Sequence, residues 1–182
     1  MIHRQLARHC DDERVTPDAV LRRSAGVAAG LAFSSAALTV YWTLGGTALL
    51  DTVGGYAEKF ARTRGPLALL AGLLVVAVKV VGGLVALGLA RQGLGRGLHR
   101  TLLVAGGLGS GLLVVYGGLL VVVGALVLTG VLHPDGPVDR RALTWHVLLW
   151  DFWFLLWGLA LAVTTWRSIA SARLAARQPG SH

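Results

Sequence analysis

Residues 66–90 read PLALLAGLLVVAVKVVGGLVALGLA, apolar throughout except for Lys79 near the middle. About 20 apolar residues cross the hydrocarbon core of a bilayer, so this stretch reads as a transmembrane helix. A lysine at its midpoint costs about 2.5–3.5 kcal/mol on insertion scales, and an intramembrane ionisable group is a functional candidate by default. Lys79 is therefore the first residue whose surroundings need explaining.

Working outward, three more apolar blocks give four spans, at about 24–46, 66–90, 102–132 and 145–166. The chain is 54% hydrophobic with a mean hydropathy of +0.65, and its apolar residues cluster in blocks. That pattern predicts an all-α integral membrane four-helix bundle. A polar N-terminal segment (1–23) and a basic tail (167–182) flank it. The third span would reach roughly 45 Å as a straight helix, so it must tilt, kink or protrude.

The net charge of +8 comes from 17 basic residues, of which only Lys59 and Lys79 are lysines. Arginine over lysine, with much Gly, Ala, Val and Leu, suggests a high-GC bacterial genome. The arginines flank the spans, where orientation and anionic lipid explain them, and nucleic acid is excluded as a partner. Eleven basic residues fall on one side and five on the other, which predicts both termini in the cytoplasm of a multi-pass cell-membrane protein. The first 23 residues contain no signal-peptide core. Cys10 is alone, so no internal disulfide forms.

The connections differ in character. Segment 47–65 keeps apolar residues among its charges and reads as a short amphipathic helix on the outer interface. Segment 133–144 reads as a tight turn and 91–100 as a Gly-rich hairpin. Thr16-Pro17 reads as a helix start.

Small residues mark the packing faces, because close approach replaces the hydrophobic drive in lipid. Lys79 shares a face of its span with Ala68, Gly72, Gly83, Ala86 and Ala90, so it points into the bundle. The third span carries two stripes, Gly107/Gly111/Gly118/Ala125 and Gly106/Ser110/Gly117/Gly124, which predicts a helix between two neighbours. These glycines read as packing positions; a phosphate loop would need a Gly-Lys-Ser/Thr turn between strand and helix.

Asp151 is the acid inside the fourth span. It lies about 9 Å below the outer boundary against about 20 Å for Lys79, so a Lys79–Asp151 pair is strained; Tyr116 and free backbone carbonyls are other partners for the ammonium. His146, Trp150, Trp153 and Trp157 project onto one stripe, either an aromatic pocket or, more often, plain packing. His146 reads as a solvated residue near the interface. His133 and His146 lack partners at ligand spacing, so no metal and no cofactor is expected.

YWTLGG at 41–46 and LDTVGG at 50–55, set among four spans, resemble a family of small actinobacterial membrane proteins known only as a domain of unknown function. The resemblance covers about 24–166 and implies architecture without chemistry. Asp51 before Thr52 and Gly54-Gly55 suits an Asx-type turn. Tyr41 stands level with Asp151, so Tyr41, Asp51, Asp151 and His146 are candidates for a polar-aromatic mouth above Lys79. Against this, Asp51 caps a turn and Tyr41 sits in the aromatic belt.

Three functions compete. First is a non-enzymatic scaffold or complex partner, with the bilayer, other proteins or a second copy as partners. Second is a transporter or channel subunit working through Lys79. Third is an intramembrane enzyme on a lipid or isoprenoid, using Asp151, Tyr41 or His146 as acid or base.

Overall fold

The computed structural model describes residues 17–63, 65–136 and 138–176. Among them every regular element is helical: α1 Pro17–Thr43, α2 Gly55–Thr63, α3 Pro66–Leu89, α4 Arg96–Leu128, α5 Arg140–Trp145 and α6 Asp151–Ala176. A 3-10 turn at Leu50–Thr52 precedes α2, and a π turn at His146–Trp150 joins α5 to α6. Four helical stretches are long and apolar enough to cross a membrane: Ala19–Thr43, Pro66–Leu89, Arg96–Leu128 and Arg140–Leu174.

Local chemistry sets the ends. Pro17 and Pro66 begin α1 and α3, where a fixed φ helps and a missing N–H costs nothing. Asp139 caps α5, accepting from the Arg141 and Ala142 amides at 3.0 Å each. Gly130, at φ 75°, turns the chain out of α4.

Several expected boundaries move accordingly. α1 takes in residues 17–23 of the expected polar segment, and α6 runs ten residues beyond 166, to Ala176. The third span starts at Arg96 and stops before 132, and the expected tight turn at 133–144 gives way to α5 from Arg140. Segment 47–65 divides into the 3-10 turn and α2, whose Arg62 and Glu58 pair at 2.8 Å. Thr16, Cys10 and the end of the basic tail lie outside the described residues.

Leu21, Leu89, His99 and Ser168 line one cleft, whereas Trp42, Val53 and His146–Trp150 meet at the other end, so successive spans alternate in direction. The first group marks the basic end, the second the loop end.

α1 and α6 are the inner helices. Of the most apolar window of each, 33% is buried, against 11% for α3 and for α4. The core joins Ala28, Ala29 and Ala32 of α1 to Val85, Ala86 and Leu89 of α3 and to Trp157 and Leu161 of α6. α3 packs on α1, and α4 packs on α6.

The α4–α6 contact is backbone to backbone. A methyl group at Gly117 would sit 2.7 Å from the Leu155 amide nitrogen, and one at Gly158 would sit 2.8 Å from that of Val114. Gly106, Ser110, Gly117 and Gly124 form the buried stripe. The other stripe is largely open: a methyl built at Gly107 or Gly111 meets no neighbouring element within 4 Å, and one at Gly118 meets only the end of the Leu155 side chain, at 3.8 Å. α4 thus lies on the outside of the bundle and meets its two neighbours through one stripe and not one on each face: Gly106 stands against both Thr165 of α6 and Leu89 of α3.

Candidate functional site

Lys79 points from α3 into the groove with α1, as its small-residue face requires. Its Nζ donates to the Thr39 hydroxyl at 2.8 Å and to the Ser35 carbonyl at 3.3 Å, and lies 5.7 Å from the Phe154 ring centroid. Phe154 stacks edge-on with Tyr116, centroids 6.2 Å apart. Tyr116 therefore reaches Lys79 through a ring and not through its hydroxyl. A Lys79–Asp151 pair does not form. The ammonium takes a carbonyl and a hydroxyl on α1, and Asp151 takes a histidine.

That histidine is His146, at the start of the π turn. Its Nδ1 is 3.4 Å from Asp151 Oδ1, and its Nε2 is 2.6 Å from the Val53 carbonyl oxygen. A carbonyl only accepts, so Nε2 carries a hydrogen. Nδ1 and the carboxylate then share the remaining proton position. π turns inside longer helices often occur at functional sites because the extra residue re-aims side chains. Here it brings His146 and Asp151, five apart in sequence, to face each other. Asp151 is buried. His146 is thus fastened at both nitrogens, with about a third of its side chain still exposed, as expected near the interface.

The neighbouring tryptophans also fasten elements. Trp150 Nε1 donates to the Thr52 hydroxyl at 3.2 Å, and its ring meets Trp42 edge-on at 5.4 Å. Trp42 Nε1 donates to the Ala48 carbonyl at 2.8 Å. Trp153 Nε1 donates to the Leu31 carbonyl at 3.1 Å, tying α6 to α1. Trp157 is buried in the core.

Of the four residues proposed for a mouth, His146 and Asp151 converge and the other two make different contacts. The Tyr41 hydroxyl accepts from the Ala48 amide at 3.4 Å, and its ring covers Gly46. Asp51 lies 3.6 Å from Arg141 at an exposed position. The turn is not closed by the Asp51 carboxylate either. Thr52 Oγ donates to the Leu49 carbonyl at 2.6 Å, while Leu49 adopts φ 62°, a region that side chains avoid. Gly54, at φ 61°, takes the positive value its type permits.

Sequence reasoning missed Ser35, Thr39 and Phe154 around Lys79, and Thr52, Val53 and Trp42 around the dyad. A signal existed for the first two. Ser35 and Thr39 are four apart, hence on one face of an apolar helix.

Chemically, the pair anchors a loop to the start of α6. Both imidazole nitrogens are occupied. Among the described residues no group of three or more His, Cys, Asp or Glu side chains is arranged to hold a metal ion.

The fold and these ties define a helical bundle with four candidate membrane spans. The family model described as protein of unknown function (DUF3995) matches residues 32–161. The chain belongs to that family. No curated protein and no solved structure matches it.

Proposed function

We propose that this chain is a non-enzymatic multi-pass membrane protein, a scaffold or partner in a larger assembly, with both termini in the cytoplasm. What carries the reading is how Lys79 is held. Two of its three ammonium hydrogens go to Ser35 and Thr39 on the adjacent helix, as in a structural lysine. Other polar groups of the spans act alike: Thr164 donates to Ser24 at 3.0 Å and Ser168 to the Leu89 carbonyl at 3.1 Å. These ties hold the bundle and leave long apolar flanks on α3 and α4. Lipid covers such flanks, and small residues among them suit a partner helix.

A photo-crosslinking side chain at Leu112, on the outer flank of α4, tests this in native membranes. A discrete protein adduct is expected. Adducts with lipid alone would overturn the partner reading. Cysteine labelling of residues 91–100 from the outside would overturn the orientation.

One observation favours the transporter reading as second. A cavity of about 370 Å³ between α1 and α3 reaches Thr39 and Thr43, and Thr39 is the partner of Lys79. That reading expects Lys79→Met to abolish chloride or proton flux in proteoliposomes. The enzyme reading stands third, because the Val53 carbonyl covers the nitrogen with which His146 would meet a substrate.

A further inference from the structure

At the basic end, α1, α3, α4 and α6 enclose a cleft of about 560 Å³. That is within the range of roughly 300–1,000 Å³ typical of small-molecule sites. Arg22 enters it from α1, Arg91 and Gln92 from the α3–α4 connection, His99 from the first turn of α4, and Ser171 from α6. Among the described residues no carboxylate lines it. Two guanidinium groups at one cleft make it attractive to an anion.

A second observation points the same way. His99 Nε2 is enclosed and has no hydrogen-bond partner. Buried polar atoms nearly always have one, so an unmatched nitrogen on a residue that lines a cavity leaves room for a partner, which reaches it once the imidazole ring turns toward the cleft. The start of α4 adds to the field. Gly95, the N-cap, is a glycine with no side chain to cap with, and the first α4 amide to bond within the helix is that of His99, to the Gly95 carbonyl. The amides before it carry the positive end of a long helix dipole.

We infer that this cleft binds a phosphate group, with Arg22 and Arg91 pairing to its oxygens and His99 Nε2 and the Ser171 hydroxyl completing the set. Guanidinium is the side chain best matched to phosphate, through paired N–H donors. Exposed leucines run from the same region along α4, Leu98 and Leu108 among them, where acyl chains of a bound lipid would lie. The phosphate comes either from an anionic lipid headgroup or from a soluble phosphorylated compound. Placing that lipid in the inner leaflet rests on the proposed orientation; the binding chemistry does not.

The full chain, purified in detergent, tests the cleft in two arms. Native mass spectrometry compares retention of phosphatidylglycerol with that of phosphatidylcholine. Calorimetric titration uses inorganic phosphate. Preferential retention of phosphatidylglycerol assigns the headgroup, and binding of inorganic phosphate assigns a soluble ligand. R22Q/R91Q is expected to weaken whichever binding is seen by at least about tenfold, as lost charged hydrogen bonds do. H99Q, milder in its effect on folding, is expected to weaken it by several-fold. Arg173→Gln, at the same end but outside the cleft, is expected to change nothing; an equal loss there would mean diffuse surface charge and overturn the site. Binding in neither arm also overturns it. None of these outcomes depends on the scaffold reading, which stands or falls on crosslinking at Leu112.

Discussion

Lys79 Nζ lies 2.8 Å from the hydroxyl oxygen of Thr39, joining α3 to α1 across 40 residues of sequence. The contact turns the most expensive residue of the apolar stretch into a tie between two spans. A partly buried charge is tolerated best when its hydrogen bonds are matched, and here a hydroxyl and a carbonyl take two of the three ammonium hydrogens.

This arrangement separates charge from fold. Lys79→Met keeps the length of the side chain and removes the charge, so stability in a detergent unfolding titration should hold or rise. Thr39→Val leaves the ammonium with the Ser35 carbonyl alone and should lower stability by about 1–2 kcal/mol. A large loss in Lys79→Met with none in Thr39→Val would contradict the tie.

Glycines of α4 should divide by face. Gly117→Ala places a methyl 2.9 Å from the Asp151 carbonyl oxygen, so the helices must separate. A cost of about 1–3 kcal/mol is expected, as for other overpacked sites. Gly111→Ala meets open space and should be neutral or gain up to about 1 kcal/mol from helix propensity. Thermal unfolding of the two variants side by side checks the order.

The loop-end contacts should act locally. His146→Phe removes the donor to Val53, and Trp150→Phe removes the donor to Thr52. Each should cost about 1 kcal/mol, expressed as faster amide hydrogen exchange over residues 47–54 while the spans stay protected. Exchange that rises equally along α1 and α6 would show that the dyad supports the whole bundle instead.

Two acids near the same end should differ. Asp139→Ala removes a cap that accepts two amides and should destabilise α5 by about 1 kcal/mol, seen as faster exchange over residues 140–145. Asp51→Asn breaks an exposed ion pair with Arg141, at 3.6 Å, and should leave the melting temperature unchanged.

How far the sequence reads depends on whether a property is local. Pro66, a long apolar run and a Gly-rich connection are local signals, so the four helices were legible, although α1 begins at Pro17 and not at 24, and α6 ends at Ala176 and not at 166. The inward side of Lys79 was legible too, because helical spacing places Gly72, Gly83 and Ala86 beside it, and all three lie toward α1 or the core. The two stripes of α4 illustrate the limit. They look alike in sequence, yet Gly117 touches backbone and Gly111 touches nothing. Small residues state that close approach is allowed and do not state which helix comes.

The candidate site was harder to read. Lys79, His146 and Asp151 stand out as polar groups in apolar surroundings, but their partners do not. A carbonyl such as that of Ser35 or Val53 is present at every residue, so no sequence pattern singles it out. Depth arithmetic argued correctly against Lys79–Asp151 but assumed a regular helix through His146. The π turn changes the direction of every side chain near it, and it arises where α5 and α6 must meet both α4 and the Leu50–Thr52 turn.

The apolar stretch at 66–90, by itself, determined that a helix suited to crossing a membrane forms there and that Lys79 turns toward small residues. Tertiary structure alone decided that Ser35 and Thr39 hold the ammonium. Helix formation follows from periodicity and length within one segment. The choice of partner follows from how two separate helices are set side by side, and that offset is fixed by contacts spread over the whole bundle.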